Sequence, residues 1–226
     1  MIKTNFFDYF DKVIFLTLSD SYERHKNIQN QINKFNIKNY HIYYSTKLPE
    51  IYLKCSRLFP SLKLEYYDNI EKYNKYIYAN NFSVSINHLN IIKISYELGY
   101  NKILILEDDI NFNEYDGDMY DKIIDYIPED YDLLKFDNDD CFGTLQKKDL
   151  VKSPFVKMNK DNYNYYSNFY SLSRNGMKIY IDYLLKTTNL CEDLIFTELL
   201  RNTNINAYTI NQKIISPLNI QSTILL

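Results

Sequence analysis

The segment LILEDD, residues 104–109, joins an uninterrupted apolar run to three consecutive carboxylates. Gly99 stands shortly before the run and is typical of a helix end. A short apolar run that begins at Ile103 after a helix predicts a buried central strand of a mostly parallel sheet. Open α/β sheets bind ligands beyond the carboxyl ends of their strands. The segment therefore predicts an α/β fold in which the three acids lie at the ligand-binding edge of the sheet.

Glu107, Asp108 and Asp109 need a compensating charge or partner. Two like charges about 4 Å apart repel by roughly 4 kcal/mol at an effective dielectric constant near 20. A Mg²⁺ or Mn²⁺ ion would supply the compensation, because such an ion takes one or two carboxylates together with phosphate oxygens of a substrate. The alternative is that the three acids form a solvated loop that also caps the next element.

The composition describes a globular chain of 226 residues, 46% hydrophobic and 24% charged, which is long enough for a full core. The net charge of −3 and the pI of about 5.7 provide no electrostatic footprint for nucleic acid or for strong adsorption to an anionic membrane. The three cysteines, Cys55, Cys141 and Cys191, are widely spaced and form neither a disulfide framework nor a zinc pattern. With no signal peptide or membrane-spanning run, this predicts a cytoplasmic protein with reduced thiols.

Hydrophobic periodicity predicts strands that alternate with helices along the chain. Val13–Leu18 is the first buried strand, and the helix after it carries one apolar stripe over residues 28–35. Further strands are expected at residues 41–44, 132–136, 168–172, 207–210 and 214–215, and further helices around Leu89, Ile123, Ile181 and Ile195. We expect a single domain over residues 1–226 with a variable insertion at 45–81, which is also the candidate for peripheral membrane contact.

Two further acidic clusters stand next to predicted elements. Asp137–Asp140 follows a predicted strand, where a turn is favoured over a binding site. Glu192 and Asp193 lie at the start of a predicted helix, where the helix dipole favours carboxylates even without a function.

Six landmarks follow one another in a consistent order: Val13–Leu18 with Arg24 after it, Asn87-His88-Leu89, Leu106–Asp109, Asn168–Lys178, Glu192-Asp193, and Pro217 with Gln221–Ile224. Together they resemble glycosyltransferase family 25, which includes bacterial lipooligosaccharide galactosyltransferases and collagen galactosyltransferases. The resemblance covers nearly the whole chain. The chain departs from the family at three places: Thr17 stands where the family usually has asparagine, Asn87 where it has serine, and residues 81–83 where it has a glycine-containing segment.

The resemblance implies a single-domain GT-A-like, Rossmann-like fold that uses a nucleotide-diphosphate sugar and inverts the anomeric centre. It implies a metal-dependent hexosyltransferase with Mn²⁺ or Mg²⁺, galactose or glucose carried by UDP, and a surface glycan or glycolipid as acceptor. Two other functions stay open. One is a non-catalytic relative that binds nucleotide or glycan. The other is a Mg²⁺-dependent phosphotransferase or phosphohydrolase, although the chain lacks a glycine-rich phosphate loop.

The resemblance also suggests roles for the acids of the central segment. Asp109 is expected to coordinate the metal directly, and Glu107 is expected to be a second ligand or a contact to the ribose. Asp108 is expected to point elsewhere if the segment stays extended, because successive side chains of a strand alternate between faces.

The remaining candidates are residues that contact the nucleotide-sugar donor and a residue that acts as the catalytic base. Contacts to the nucleotide sugar are expected at Thr17, Arg24, His88, Glu107 and Asp108. For Arg24 the alternative is a surface salt bridge, and for His88 it is a hydrogen-bonded core histidine. Inversion needs a base for the acceptor hydroxyl. That base is expected at Asp193, with Glu192 as the reserve and helix capping as the alternative role.

Overall fold

The segment LILEDD provides the end of the third strand of a mixed sheet, as far as Glu107, and Asp108 and Asp109 lie in the turn that follows. The computed structural model describes residues 5–46, 75–112, 117–136, 153–160, 167–187, 192–210 and 216–217. In chain order the strands are β1 (Lys12–Leu18), β2 (Tyr40–Ser45), β3 (Lys102–Glu107), β4 (Ile110–Asn111), β5 (Leu133–Lys135), β6 (Phe155–Lys157), β7 (Phe169–Ser173), β8 (Ala207–Ile210) and β9 (Ser216–Pro217). Seven of them form one sheet in the order β2-β1-β3-β7-β5-β8-β6, and β4 pairs with β9 in a separate ladder.

Most strands of the large sheet run in one direction. β1 pairs in parallel with both β2 and β3, and β5 pairs in parallel with β8. β7 runs antiparallel to β3 and β5, and β6 runs antiparallel to β8. Because β7 runs antiparallel to β3, β7 begins at the edge of the sheet where β3 ends.

Helices cover both faces of the sheet. The described helices are α1 (Tyr22–Lys34), α2 (Lys75–Glu97), α3 (Gly117–Ile123), α4 (Arg174–Leu184) and α5 (Glu192–Asn202), with 3₁₀ turns at Phe6–Tyr9 and Ile124–Tyr126. One core lies between the sheet and α2, α4 and α5, and the other lies under α1, α3 and the 3₁₀ turns. The α/β fold class with flanking helices is thus confirmed.

The buried position of β3 explains why residues 103–106 are all apolar. Ile103 and Ile105 pack into the core under α2, whereas Leu104 and Leu106 pack into the core under α1. All four side chains are fully buried. A strand buried on both faces has no solvent side, so its sequence loses the usual alternation.

Two glycines occupy positions that disfavour a side chain. Gly99 has a φ of +84°, so it takes the left-handed conformation that was expected after α2. A Cβ on Gly176 would lie 1.9 Å from the carbonyl oxygen of Asp132. That oxygen already accepts a hydrogen bond from the backbone N–H of Ser173. The first turn of α4 can therefore approach the start of β5 only because residue 176 has no side chain.

Several local expectations need adjustment. The helix expected around Ile123 is short, ending at that residue and continuing only as a 3₁₀ turn. α2 begins at Lys75, inside the expected insertion, and α5 begins at Glu192 itself. Residues 137–140 and 214–215 lie outside the described residues. Within the described part of the chain, the helices are too short or too polar to cross a membrane.

Candidate functional site

The candidate residues gather at one edge of the sheet. β1 and β3 end there, with Leu16 paired to Glu107. β7 begins there, with Phe169 paired to Leu106, and β5 ends beside Tyr170. In α/β sheets this carboxyl edge is where ligands bind, because the loops that follow the strands leave a crevice.

Asp108 is held by two residues that were expected to bind a donor. Thr17 Oγ1 donates a hydrogen bond to Asp108 Oδ2 at 2.6 Å, and Arg24 Nη1 forms an ion pair with Asp108 Oδ1. The exposed fractions of Thr17, Arg24 and Asp108 are 3%, 6% and 5%. Charges buried this deeply persist only when they are paired and hydrogen-bonded. Asp108 is therefore not a solvated loop residue, and the cluster ties the end of β3 to β1 and α1.

The surface salt bridge considered for Arg24 is buried instead. Arg24 lies on the side of α1 that faces the sheet, beside Asn27 and Ile28. Donor contacts of Thr17, Arg24 and Asp108 stay predictions. Their mutual contacts give each of them a structural role in the protein alone.

Glu107 points to the opposite side of the sheet from Asp108. Its Oε1 lies 3.4 Å from Nε2 of His88 on α2. The other ring nitrogen of His88, Nδ1, lies 2.7 Å from the hydroxyl oxygen of Tyr170, and the two rings stack with centroids 5.8 Å apart. His88 is only 1% exposed. It is therefore a hydrogen-bonded core histidine that also contacts one of the candidate acids.

Asp109 is half-buried and one of its oxygens lacks a hydrogen-bond partner. Oδ1 is buried, yet nothing in the described part of the chain bonds to it. Burial, followed by the nearby charge of Glu107, raises the pKa of Asp109 to about 6, while Arg24 acts in the opposite direction. Buried polar atoms are normally hydrogen-bonded, so an unsatisfied carboxylate oxygen indicates a missing partner. A cation would satisfy this oxygen and lower the pKa again.

The protein donors would not complete the coordination of a metal by themselves. Among the described residues, no group of three or more His, Cys, Asp or Glu side chains could hold a metal ion. Asp109, with Glu107 nearby, fits an ion that takes its other ligands from phosphate oxygens and water, as Mg²⁺ commonly does.

The N-terminus of α5 lies at the same edge. Phe196, in the second turn of α5, packs edge-to-face on Tyr170 with ring centroids 4.8 Å apart. The helix then runs towards the opposite edge, where β8 begins at Ala207. Glu192 and Asp193 form its first turn, but the contacts of their side chains lie outside the described structure. Their role as base stays a prediction.

Sequence reasoning missed two residues at this edge, Tyr170 and Lys135. Lys135 pairs with Tyr170 across β5 and β7 and is 2% exposed, with Nζ 5.5 Å from the ring centroid of Phe196. Its signal in the sequence is a lysine within the apolar run Leu133–Phe136. Tyr170 carries no comparable signal, because it is one of 24 tyrosines.

Asn87, one of the departures from family 25, has a structural explanation. Its side chain accepts a hydrogen bond from the backbone N–H of Thr46 at 3.0 Å and donates to the carbonyl oxygen of Thr46 at 3.1 Å. It also donates to the carbonyl oxygen of Ser83. A serine hydroxyl can both donate and accept, but it lies closer to the backbone than the amide of asparagine and would not reach both Thr46 groups. Asn87 therefore fastens the end of β2 to α2.

The sequence matches no protein-family model and no curated protein. Among solved structures, the chain is similar to the one titled "Crystal Structure of A197 from STIV", with 12% sequence identity and a TM-score of 0.43. The match covers 93% of this chain and 86% of that chain. No function is inferred from a likeness this distant.

Proposed function

We propose that this protein is an inverting, metal-dependent glycosyltransferase that transfers galactose or glucose from a nucleotide-diphosphate sugar, with UDP as the expected nucleotide, to a glycan or glycolipid acceptor. The observation that carries the proposal is Asp109. Its Oδ1 is buried and has no hydrogen-bond partner in the described ranges. The residue lies at the carboxyl edge of the sheet, and Glu107 adds a second negative charge beside it.

Asp109 would hold Mn²⁺ or Mg²⁺, with Glu107 as the second ligand or as a contact to the ribose. Bound there, the metal would supply positive charge to the diphosphate leaving group. Arg24 on α1 stabilises the same site. Its guanidinium pairs with Asp108, and its positive charge favours the ionised form of Asp109. Thr17 completes the support by hydrogen-bonding the other oxygen of Asp108.

The transfer itself needs a proton acceptor. The acceptor hydroxyl oxygen forms a bond to the anomeric carbon while the bond from that carbon to the diphosphate breaks, and the hydroxyl proton passes to a base. Asp193 is the proposed base and Glu192 the reserve. The start of α5 supports this assignment, because it lies at the same edge of the sheet as Glu107 and Tyr170.

The test is an assay of donor hydrolysis and transfer over a panel of UDP-, GDP- and CMP-sugars with Mn²⁺. We expect turnover with a UDP-hexose and its loss in Asp109→Asn. The matched control is Asp125→Asn, which changes an exposed acid in the 3₁₀ turn after α3. The proposal is wrong if no nucleotide sugar binds and Mn²⁺ has no effect on the protein.

A second candidate function is nucleotide or glycan binding without turnover. It requires only a metal-bound nucleotide at Asp109 and no base, and it leaves the contacts of Thr17 and Arg24 with Asp108 intact. The same assay separates the two functions. A pure binding protein would bind UDP or a UDP-hexose in a titration and would release no free sugar and no glycosylated product.

A further inference from the structure

His88 lies between Glu107 and Tyr170, and both of its ring nitrogens face a polar group. Nδ1 lies 2.7 Å from the Tyr170 hydroxyl, and Nε2 lies 3.4 Å from Glu107 Oε1. The three residues come from α2, β3 and β7. Their contacts therefore form a chain from the core to the candidate site.

Tyr170 is the fixed end of this chain. It is fully buried, and its backbone is paired on both sides, with β3 at Ile105 and with β5 at Lys135. Its ring packs edge-to-face on Phe196 and stacks with His88. A side chain held by packing and by two strands can orient a neighbour accurately.

The positions of the ring hydrogens of His88 follow from the chemistry of its two neighbours, Glu107 and Tyr170. A carboxylate accepts hydrogen bonds and does not donate them, so the nitrogen facing Glu107 is the one that carries a hydrogen. The Tyr170 hydroxyl can then donate to Nδ1, which is the acceptor in a neutral ring with its hydrogen on Nε2. The carboxylate thus favours the hydrogen on Nε2, and a hydrogen bond donated by the tyrosine hydroxyl stabilises the same tautomer at Nδ1.

We propose that Tyr170 is a positioning residue for Glu107, acting through His88, and that the chain Tyr170–His88–Glu107 orients this carboxylate towards a bound nucleoside diphosphate and its divalent cation. The ligand in this statement rests on the proposed function, whereas the chain itself does not. Glu107 retains partial exposure of its side chain, 20%, so it can face a ligand while one of its oxygens contacts His88. Residues that orient ligand-binding groups in this way commonly contribute a factor of about 10 to 100 in affinity or activity.

The test compares Tyr170→Phe with Tyr131→Phe. Both variants remove one buried tyrosine hydroxyl and keep the ring. Tyr131 is the matched control because its hydroxyl lies 3.0 Å from Oγ of Ser171, which is also on β7, and its ring packs in the other core. Tyr131→Phe should leave His88 unchanged.

The first measurement is the ¹⁵N NMR spectrum of the histidine rings in the metal-free protein, with His88 assigned from its loss in His88→Gln. We expect one neutral tautomer with hydrogen on Nε2 in wild type and in Tyr131→Phe, and a mixture of tautomers in Tyr170→Phe. A His88 signal in Tyr170→Phe that is identical to wild type overturns the positioning chain.

The second measurement is the affinity for UDP in the presence of Mn²⁺, by titration calorimetry. We expect about 10-fold weaker binding for Tyr170→Phe and wild-type binding for Tyr131→Phe. Wild-type affinity in Tyr170→Phe overturns the role of Tyr170 at the site. Absence of UDP binding by the wild-type protein overturns the proposed function and the ligand named here, while the NMR comparison still decides the positioning chain.

Discussion

Arg24 on α1 and Asp108 after β3 form an ion pair in which both side chains are buried, although 84 residues separate them in the chain. Thr17 on β1 donates to the second oxygen of the same carboxylate. This contact joins the end of β3 to the β1–α1 connection. It fixes the backbone immediately before Asp109, whose Oδ1 has no hydrogen-bond partner among the described residues.

Asp108→Ala should destabilise the protein by about 3 to 5 kcal/mol, because it leaves the guanidinium of Arg24 buried without its carboxylate. Denaturant unfolding followed by circular dichroism measures this change. The double variant Arg24→Met with Asp108→Leu should lose less, since neither charge is then left buried. The interpretation fails if the single variant is as stable as wild type. An exposed pair, Lys178 with Asp182, offers the control, and Asp182→Ala should change stability little.

Asp109→Asn should stabilise the metal-free protein above pH 6. Folding raises the pKa of this carboxyl from 3.8 to about 6, so the native state binds the proton more tightly than the unfolded state. Below pH 4 the group is protonated in both states and contributes nothing. As the pH rises from 4 to about 6, the free energy of unfolding of the wild type therefore falls, whereas that of the asparagine variant does not.

The expected difference near pH 7 is about 1 to 2 kcal/mol after a discount for partial exposure. Chemical denaturation of both proteins at several pH values measures it. Mn²⁺ should raise the melting temperature of the wild type and leave that of Asp109→Asn unchanged. Parallel stability curves for the two proteins across this pH range would contradict the assignment of the titration to Asp109.

Gly176→Ala should destabilise the protein by at least about 2 kcal/mol, because the new Cβ would meet the carbonyl oxygen of Asp132 at 1.9 Å. Gly99→Ala is the comparison. Its Cβ meets nothing within 4 Å, so only the positive φ opposes it, at a cost of about 1 kcal/mol. Thermal melting of both variants tests the order. Equal losses would mean that the close approach at residue 176 relaxes easily.

Asn87→Ser, which introduces the residue usual in family 25, should cost about 1 to 2 kcal/mol in stability. The loss comes from the two hydrogen bonds to the backbone of Thr46, which a serine cannot replace together. Urea unfolding measures the cost. Asn33→Ser changes an exposed asparagine near the end of α1 and should be close to neutral. A stable Asn87→Ser variant would show that Thr46 finds other partners.

Asp193→Asn should retain UDP-hexose binding and lose transfer to the acceptor, because an amide cannot take the hydroxyl proton. Donor titration and a product assay on the same preparation separate the two effects. Glu192→Gln is the comparison, and it should keep more activity if Asp193 is the base. Normal transfer by Asp193→Asn would assign the base elsewhere.

Elements of the fold that depend on local burial can be predicted from short sequence patterns. The apolar run of β3, the stripe of α1 at Ile28 and Ile32, and the left-handed Gly99 all follow from patterns over a few residues, and each is present. Local periodicity suffices there because a residue's face is set by the geometry of its own element. Alternation along an extended segment also predicted that Glu107 and Asp108 point to different sides. They contact His88 and Arg24 on different sides, but the strand ends at Glu107, so the turn at Asp108 and not strand alternation sets its direction.

Tertiary structure alone decided which distant groups meet. The antiparallel direction of β7 sets Tyr170 beside Lys135 and under His88, and no local pattern specifies the direction of that strand. The partner of Asp108 likewise depends on how α1 packs against the sheet. Hydrogen bonds and ion pairs between residues far apart in the chain arise from strand order and register, which local hydrophobicity does not encode. The three acids of LILEDD are therefore recognisable in the sequence. Their different environments depend on the tertiary structure, which places His88 beside Glu107 and Arg24 beside Asp108.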